Sequence, residues 1–308
     1  MTDNQDTQTY RSGFVAIVGR PNVGKSTLLN SIIGEKIAIT THKPQTTRNR
    51  ILGVHHFEDG QIVYLDTPGI HKAKAGLNKY MLETAIRSIG DADIVYFMVE
   101  VGPKFIDRKD LGEGNKHILK TIREYKKPCF LIINKVDLVD RQELLPFIER
   151  MKDAHDFDDI LLISARKNDG VKELISTTMP FIPEGPPYYP GDMITDRTMR
   201  FLAAEMIREK TLLNLRDEVP YSIGVSIERF LEMDKGKRFH IEANIYVERN
   251  SQKGIVIGHR GQTLKQIGEK ARIEMEKYFE QPVGLKLFVK LKKDWTLNSR
   301  ALSEFGYE

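Results

Sequence analysis

Apolar positions along this chain fall into two patterns, and the change from one to the other divides it. In the first part they form near-continuous runs, Phe14 to Val18, Ile94 to Val101 and Cys129 to Ile133. Such runs read as strands buried on both faces, as in parallel sheets. Ile51 to Phe57 and Gln61 to Leu65 read as strands joined by a hairpin turn at Glu58, Asp59 and Gly60, and Asp159 to Ile163 as a further strand. Thr27 to Ile33, Leu77 to Ile89 and Lys109 to Tyr125 have helical character, whereas Glu35 to Arg50 shows neither period and reads as a long loop. Strands alternating with helices predict an α/β domain with a mostly parallel sheet and helices on both faces.

Beyond residue 190 the pattern becomes strict alternation. Val225 and Ile227 alternate with Ser226 and Glu228, Ile241 to Val247 with Glu242 to Glu248, and Leu285 to Leu291 with Lys286 to Lys292. Each of these strands has one buried face, so they predict a three-stranded sheet with helices on one side. Thr195 to Leu213 supplies one helix, and Leu264, Ile267, Ala271, Met275 and Tyr278 mark the buried stripe of another. This is a smaller α+β domain. Prolines at 180, 183, 186, 187 and 190 separate the two patterns and predict a stiff, extended connector. The expected division is a disordered stretch over 1–11, a nucleotide-binding domain over 12–179, a linker over 180–194 and a second domain with its tail over 195–308.

Composition narrows the class. With 308 residues the chain has the length for two domains, and 40% hydrophobic with 29% charged residues describes a globular protein. No apolar run approaches the roughly 20 residues that span a bilayer. The polar Met1 to Thr9 has no signal-peptide core, so a cytoplasmic location is expected. The single cysteine, Cys129, lies in an apolar run, which excludes an internal disulfide and gives no sign of thiol chemistry. The net charge of +4 is mild, but ten Lys or Arg stand against four Glu between Lys253 and Lys293.

Chemistry enters with Gly19-Arg20-Pro21-Asn22-Val23-Gly24-Lys25-Ser26, followed by Thr27. This is the phosphate-loop pattern in its strand, loop, helix setting. Its glycines let backbone N–H groups converge on a polyphosphate, Lys25 would reach the β- and γ-phosphates, and Ser26 would ligate Mg²⁺. In the loop that follows, Thr46 and Thr47 are the candidates for a nucleotide-sensing threonine, with Thr47 favoured for the metal. Asp66-Thr67-Pro68-Gly69 ends a strand, placing Asp66 for Mg²⁺ and the Gly69 N–H for the γ-phosphate.

Asn134-Lys135-Val136-Asp137 specifies the base. Guanine offers two donors on one edge to the Asp137 carboxylate where adenine offers neither, Asn134 would tie the loops together, and the Lys135 stem would lie along the base. Ser164-Ala165-Arg166 closes the set with a backbone N–H for the guanine carbonyl. Lys25, Thr47 and Gly69 are the expected catalytic groups of a hydrolase using GTP, GDP and Mg²⁺. Ile70 stands where many GTPases carry a water-orienting glutamine, so hydrolysis should be slow alone or depend on something else. Asn22 is placed to help hold K⁺ beside the phosphates, where it would replace part of an arginine finger's charge.

In the second domain Gly258-His259-Arg260-Gly261 opens a helix inside the basic stretch. A G-x-x-G loop there lets a sugar-phosphate backbone approach closely, as in KH modules that clamp single-stranded RNA. Gly258, His259, Arg260 and Gly261, with Lys253 and Lys265, are the candidate RNA contacts. Tyr246 and Phe288 are candidates for base stacking or for ordinary packing.

GRPNVGKS, QTTR, DTPGI, NKVD, SAR, the proline-rich stretch, GHRG and the tail with Lys293-Asp294-Trp295 together resemble the bacterial GTPases of the Era family, within the TrmE-Era-EngA type, over essentially the whole chain. The resemblance implies a P-loop GTPase domain followed by a type II KH domain. It implies an assembly factor for the small ribosomal subunit whose KH domain holds the 3′ end of small-subunit ribosomal RNA. It further implies loose association with the inner face of the plasma membrane and a hydrophobic residue at position 70 as the family norm. A monomer is expected. Two alternatives remain at this stage, an RNA-binding scaffold with a slow GTPase timer and a membrane-associated regulatory GTPase.

Overall fold

A computed structural model of the chain describes residues 9–70, 76–103, 111–215, 222–233 and 235–307. The chain divides into two compact units. One consists of Met1–Ile37, Asn49–Lys72 and Leu82–Asp196, and the other of Ala38–Arg48, Ala73–Met81 and Arg197–Glu308.

The first unit is built on a six-stranded sheet of order β2-β3-β1-β4-β5-β6. The strands are β1 (Arg11–Gly19), β2 (Ile51–Phe57), β3 (Gly60–Asp66), β4 (Ile94–Glu100), β5 (Cys129–Asn134) and β6 (Asp159–Ile163). β2 runs antiparallel to β3, and every other pair is parallel. Helices cover both faces, because the inner strands are apolar at successive positions and cannot leave either face in water. Against one face Ala85 and Ile89 of α2 (Gly76–Asp91), Ile118 and Ile122 of α3 (Gly112–Tyr125), and Leu144 and Met151 of α4 (Arg141–Lys152) pack on Ala16, Val95, Phe97 and Leu131. Against the other face lie α1 (Lys25–Ile33) and α5 (Val171–Thr178), where the buried Tyr96 hydroxyl bonds Thr178.

Several elements differ from the sequence reading. Residues 1–8 of the expected disordered stretch lie outside the described residues, but Arg11 is placed: it begins β1, and its guanidinium donates to the Ile182 carbonyl at 2.7 Å. The helix expected from Lys109 runs from Gly112, with Lys109 and Asp110 outside the described residues. α4 and α5 had no counterpart in the sequence reading; α4 opens with a reciprocal cap between Asp140 and Glu143. The proline-rich stretch is hydrogen-bonded to the first unit along much of its length. Ser12 N–H donates to the Pro183 carbonyl at 3.0 Å, the Tyr188 and Tyr189 N–H groups donate to the Gln61 side chain at 2.8 and 2.9 Å, and Val54 N–H donates to the Ile194 carbonyl at 2.9 Å. Prolines forbid a helix there, but the N–H groups between them still find acceptors.

The second unit carries the sheet β7-β8-β9. Its elements are α6 (Met199–Asn214), β7 (Gly224–Met233), β8 (Arg238–Val247), α7 (Asn250–Ile257), α8 (Gln262–Phe279), β9 (Val283–Leu291) and α9 (Ser299–Glu304). β7 and β8 are antiparallel, and β8 and β9 parallel. β7 outlasts the predicted strand because a register shift between Ile227 and Arg229 changes the phase of its alternation. Ile207, Ile241, Ala243, Ile245, Ile267, Ala271 and Met275 form the core between this sheet and its helices.

Two segments from the earlier part of the chain belong to this second unit, although the sequence reading assigned them to the nucleotide domain. In the segment Ala38–Arg48, Thr40 N–H donates to Glu209 at 2.8 Å, the Thr46 carbonyl accepts from the buried Arg208 at 2.6 Å, and Arg48 donates to the Ile223 carbonyl at 2.6 Å. Leu77 and Met81, at the start of α2, pack with Trp295, Ala301, Leu302 and Tyr307 of the tail. Trp295 is fully buried, its indole N–H donates to the Ser222 carbonyl at 2.9 Å, and Arg48 lies 5.7 Å over its ring. Trp295→Ala therefore removes the centre of that cluster and should destabilise the second unit by about 3–5 kcal/mol. Urea unfolding followed by circular dichroism measures this, and a loss under about 1 kcal/mol would show that the tail contributes little.

Candidate functional site

The phosphate loop connects β1 to α1 and depends on two left-handed residues, Asn22 at φ 67° and Gly24 at φ 106°. Gly24 is required for space as well as for its angle, since a Cβ there would stand 2.3 Å from the Asn134 amide nitrogen. No side chain caps the α1 N-terminus, so the first N–H groups of the helix point toward the loop. The buried Lys25 ammonium donates to the loop's own Gly19 and Arg20 carbonyls at 3.3 and 3.2 Å. Burial pushes its pKa down to about 8, with the Asp66 carboxylate partly offsetting that. Phosphate oxygens arriving here would meet a cation with little water to lose. Arg20 lies beside Gly114 of α3, Val23 is buried and Thr27 is half-buried in the first turn of α1.

Asp66 ends β3 and accepts the Ser26 hydroxyl at 2.6 Å. A hydroxyl and a carboxylate in contact beside a phosphate loop fit Mg²⁺, which takes few protein oxygens and completes its shell with phosphate and water. The Thr67 hydroxyl is committed to the Ile17 carbonyl at 2.7 Å and fixes the turn that follows. Gly69 lies against Pro21 so closely that a Cβ would be 2.6 Å from the proline ring, and Ile70 N–H donates to the Gly19 carbonyl at 3.2 Å. Pro68 and Gly69 thereby run alongside the phosphate loop. The Ile70 side chain is 2% exposed and packed in the core, so it has no access to an attacking water. Thr47 belongs to the segment grouped with the second unit, whereas Ser26 and Asp66, the other two expected metal ligands, both lie in the first. Thr46 uses its hydroxyl within that segment, donating to the Lys43 carbonyl at 2.7 Å.

The base loop follows β5. The buried Asn134 side chain donates to the Val23 carbonyl at 2.8 Å and accepts the Ala165 N–H at 3.0 Å, joining three strand ends. Lys135 is left-handed at φ 69° and donates to the Asn22 carbonyl at 2.9 Å. Ser164 donates to one Asp137 oxygen at 2.7 Å, which aims the carboxylate and leaves acceptor capacity for a base edge. Of the Ser164–Arg166 backbone, from which an N–H is expected to reach the guanine carbonyl, the Ala165 N–H is held by Asn134. Arg166 is exposed at the tip of the turn closed by Ser164 and Asp169.

In the second unit the Gly258–Gly261 loop joins α7 to α8. Gly258 has φ 73°, Arg260 φ 49° and Gly261 φ 77°, and His259 and Arg260 are exposed. A Cβ on Gly258 would strike the Thr263 hydroxyl at 2.1 Å, whereas Gly261 faces open space. The loop borders a groove of about 620 Å³ between α8 and β9. Leu264, Gly268, Leu285 and Leu287 supply its apolar lining, and Lys265, Glu269 and Arg272 its charged groups. Lys265 lines this groove, whereas Lys253 sits on α7 and is not part of its lining. The sequence reading missed Gly268 and Arg272, although a glycine two turns beyond Gly261 inside a helix is a visible signal. It also missed α7, having read its apolar residues only as a lead-in. Tyr246 is covered by Phe305, ring centres 5.0 Å apart, while Phe288 is 49% exposed.

The chain matches the family model of 50S ribosome-binding GTPases over residues 14–135 and that of KH domains over 218–296. It is 49% identical over 307 residues to the GTPase Era of Geobacter metallireducens, covering all of both chains. The chain belongs to the Era family of GTPases. The Era of Syntrophus aciditrophicus is 47% identical over 298 residues, covering 97% of this chain and 95% of its own. Among solved structures, a point variant of Aquifex aeolicus Era bound to GDP·AlF₄⁻ is 39% identical with a TM-score of 0.91, covering 96% of this chain and 99% of that one. Era in complex with MgGDPNP and nucleotides 1506–1542 of 16S ribosomal RNA is 40% identical with a TM-score of 0.91, covering 97% and 99%. The α/β GTPase fold with a C-terminal KH domain and the GTP-hydrolysing activity of Era agree with the sequence reading.

Asp137→Asn should convert the base edge from accepting to donating and move preference from guanine toward xanthine nucleotides. GDP affinity should fall by about a hundredfold or more, measured by titration against xanthosine diphosphate. Retained GDP preference would remove Asp137 from the base site.

Proposed function

We propose that this Era-family GTPase binds the single-stranded 3′ end of small-subunit ribosomal RNA through its KH unit and assists assembly of the small ribosomal subunit. The carrying observation is the convergence of the phosphate loop, Asp66 to Gly69, Asn134 to Asp137 and Ser164 to Arg166 at the carboxyl ends of the parallel strands, the place where open α/β sheets bind ligands. On the nucleic-acid side, the left-handed Gly258–Gly261 loop borders a groove whose apolar lining suits base faces and whose Lys265 and Arg272 suit phosphates.

Catalysis in this reading is positioning and charge stabilisation. Lys25, the phosphate-loop N–H groups and the Gly69 N–H would surround the γ-phosphate, with Thr47 from the switch segment and with Ile70 excluded as a water-orienting group. Mg²⁺, held by Ser26, Asp66 and Thr47, would neutralise charge on the β- and γ-oxygens. The exposed Asn22, held in a left-handed turn at the loop mouth, is the proposed K⁺ ligand. A cytoplasmic location and a monomeric state belong to the same reading, and the loose contact with the inner membrane face rests on family resemblance. No helix among the described residues is long and apolar enough to cross a membrane.

The test is GTP turnover with and without a short single-stranded RNA matching the 3′ end of small-subunit ribosomal RNA, in KCl and in NaCl at matched ionic strength. RNA should raise turnover and KCl should exceed NaCl. Gly258→Asp with Gly261→Asp should abolish RNA binding while leaving GTP affinity intact. Turnover unchanged with RNA bound would uncouple the two modules, equal rates in the two salts would remove K⁺, and undiminished RNA affinity in the double variant would remove the loop from the site.

A further inference from the structure

Glu100 is the last residue of β4 and carries no part of the phosphate-loop, switch or base motifs. Across the parallel pair β4–β5 it stands in register with Asn134, and the adjacent Val101 N–H donates to the Asn134 carbonyl at 3.0 Å. Its side chain is 18% exposed, and its carboxylate accepts a hydrogen bond from the Lys135 ammonium. That same ammonium donates to the Asn22 carbonyl of the phosphate loop at 2.9 Å. Lys135 at φ 69° and Asn22 at φ 67° are both non-glycine residues in the left-handed region, and the ammonium of the first bonds the carbonyl of the second.

We infer that Glu100 is a positioning residue for nucleotide retention: its carboxylate fixes the Lys135 ammonium on the Asn22 carbonyl and so holds the lysine stem along the guanine plane. The inference rests on the guanine-nucleotide reading of this site. A lysine carries a long, flexible stem, and one backbone carbonyl is a single acceptor for a group with three donors. A second, charged acceptor placed by a rigid strand end defines the direction of the stem as well as its tip. The pair differs from an exposed surface ion pair, which contributes little, because both partners are at most a third exposed and the ammonium is shared with the phosphate loop. Asp137 reads the edge of the base, whereas Glu100 acts through Lys135 on its face. It should therefore govern how long nucleotide stays without changing which nucleotide is chosen.

The experiment uses the full chain and a fluorescent GDP analogue. Glu100→Gln keeps the shape and removes the charge, and Glu100→Ala removes the acceptor. Each should speed dissociation, by about tenfold for Glu100→Ala, as expected for loss of one charge-assisted hydrogen bond. KM for GTP should rise, kcat at saturation should stay at the wild-type value, and the ratio of GDP to xanthosine diphosphate affinity should not move. In a double-mutant cycle Glu100→Ala should add nothing in a Lys135→Ala background. Wild-type dissociation from a folded Glu100→Gln, or an undiminished effect of Glu100→Ala once Lys135 is gone, would overturn the inference. Failure of the wild-type chain to bind GDP would instead overturn the nucleotide reading on which it stands.

Discussion

The buried Asn134 side chain is the interaction on which the nucleotide site depends. Its amide spans the phosphate loop through the Val23 carbonyl and the last strand's turn through Ala165 N–H, from a position at the end of β5. These partners lie 111 and 31 residues away in sequence, so neither contact forms until the sheet is assembled. Gly24 makes the approach possible, since any Cβ would overlap the amide nitrogen. A buried amide with both ends satisfied fixes its neighbours, because leaving either end unpaired would cost about 1–3 kcal/mol.

The parallel sheet follows the same logic on a larger scale. Its inner strands are apolar on both faces, and the parallel strands end on one side of the sheet, where the polar residues Asp66, Glu100, Asn134 and Ser164 lie. The polar ends cannot be covered by the helices that cover the strands, so they collect where a ligand can reach them. Lys25 shows the consequence: stripped of water by its own loop and held on two carbonyls, it is a cation ready for an anion.

The second unit uses alternation to make one dry face and one open one, and it adds a tail around Trp295 that reaches residues far away in sequence. Arg48 and Arg208 are both fully buried there, each donating to a backbone carbonyl. A buried guanidinium is tolerated because its planar set of donors can be matched by several fixed acceptors at once. Through these contacts the segment containing the candidate switch threonines is tied into the unit that carries the Gly258–Gly261 loop.

Local patterns in the sequence determined a great deal. Strand and helix order, the two domain types, the phosphate and base motifs and the Gly258–Gly261 loop were legible because each depends on residues within a few positions of one another. α7 and the far end of β7 were not, since a short helix merges with the loop it precedes and a bulge inverts the alternation on which a strand is recognised. The membership of Ala38–Arg48 in the second unit, the hydrogen bonding of the proline-rich stretch to the first, the groove between α8 and β9, and the Glu100–Lys135–Asn22 bridge were decided only by tertiary structure. In each case the partners are distant along the chain, and a single glutamate or arginine looks the same in sequence whether it faces water or holds a lysine in place.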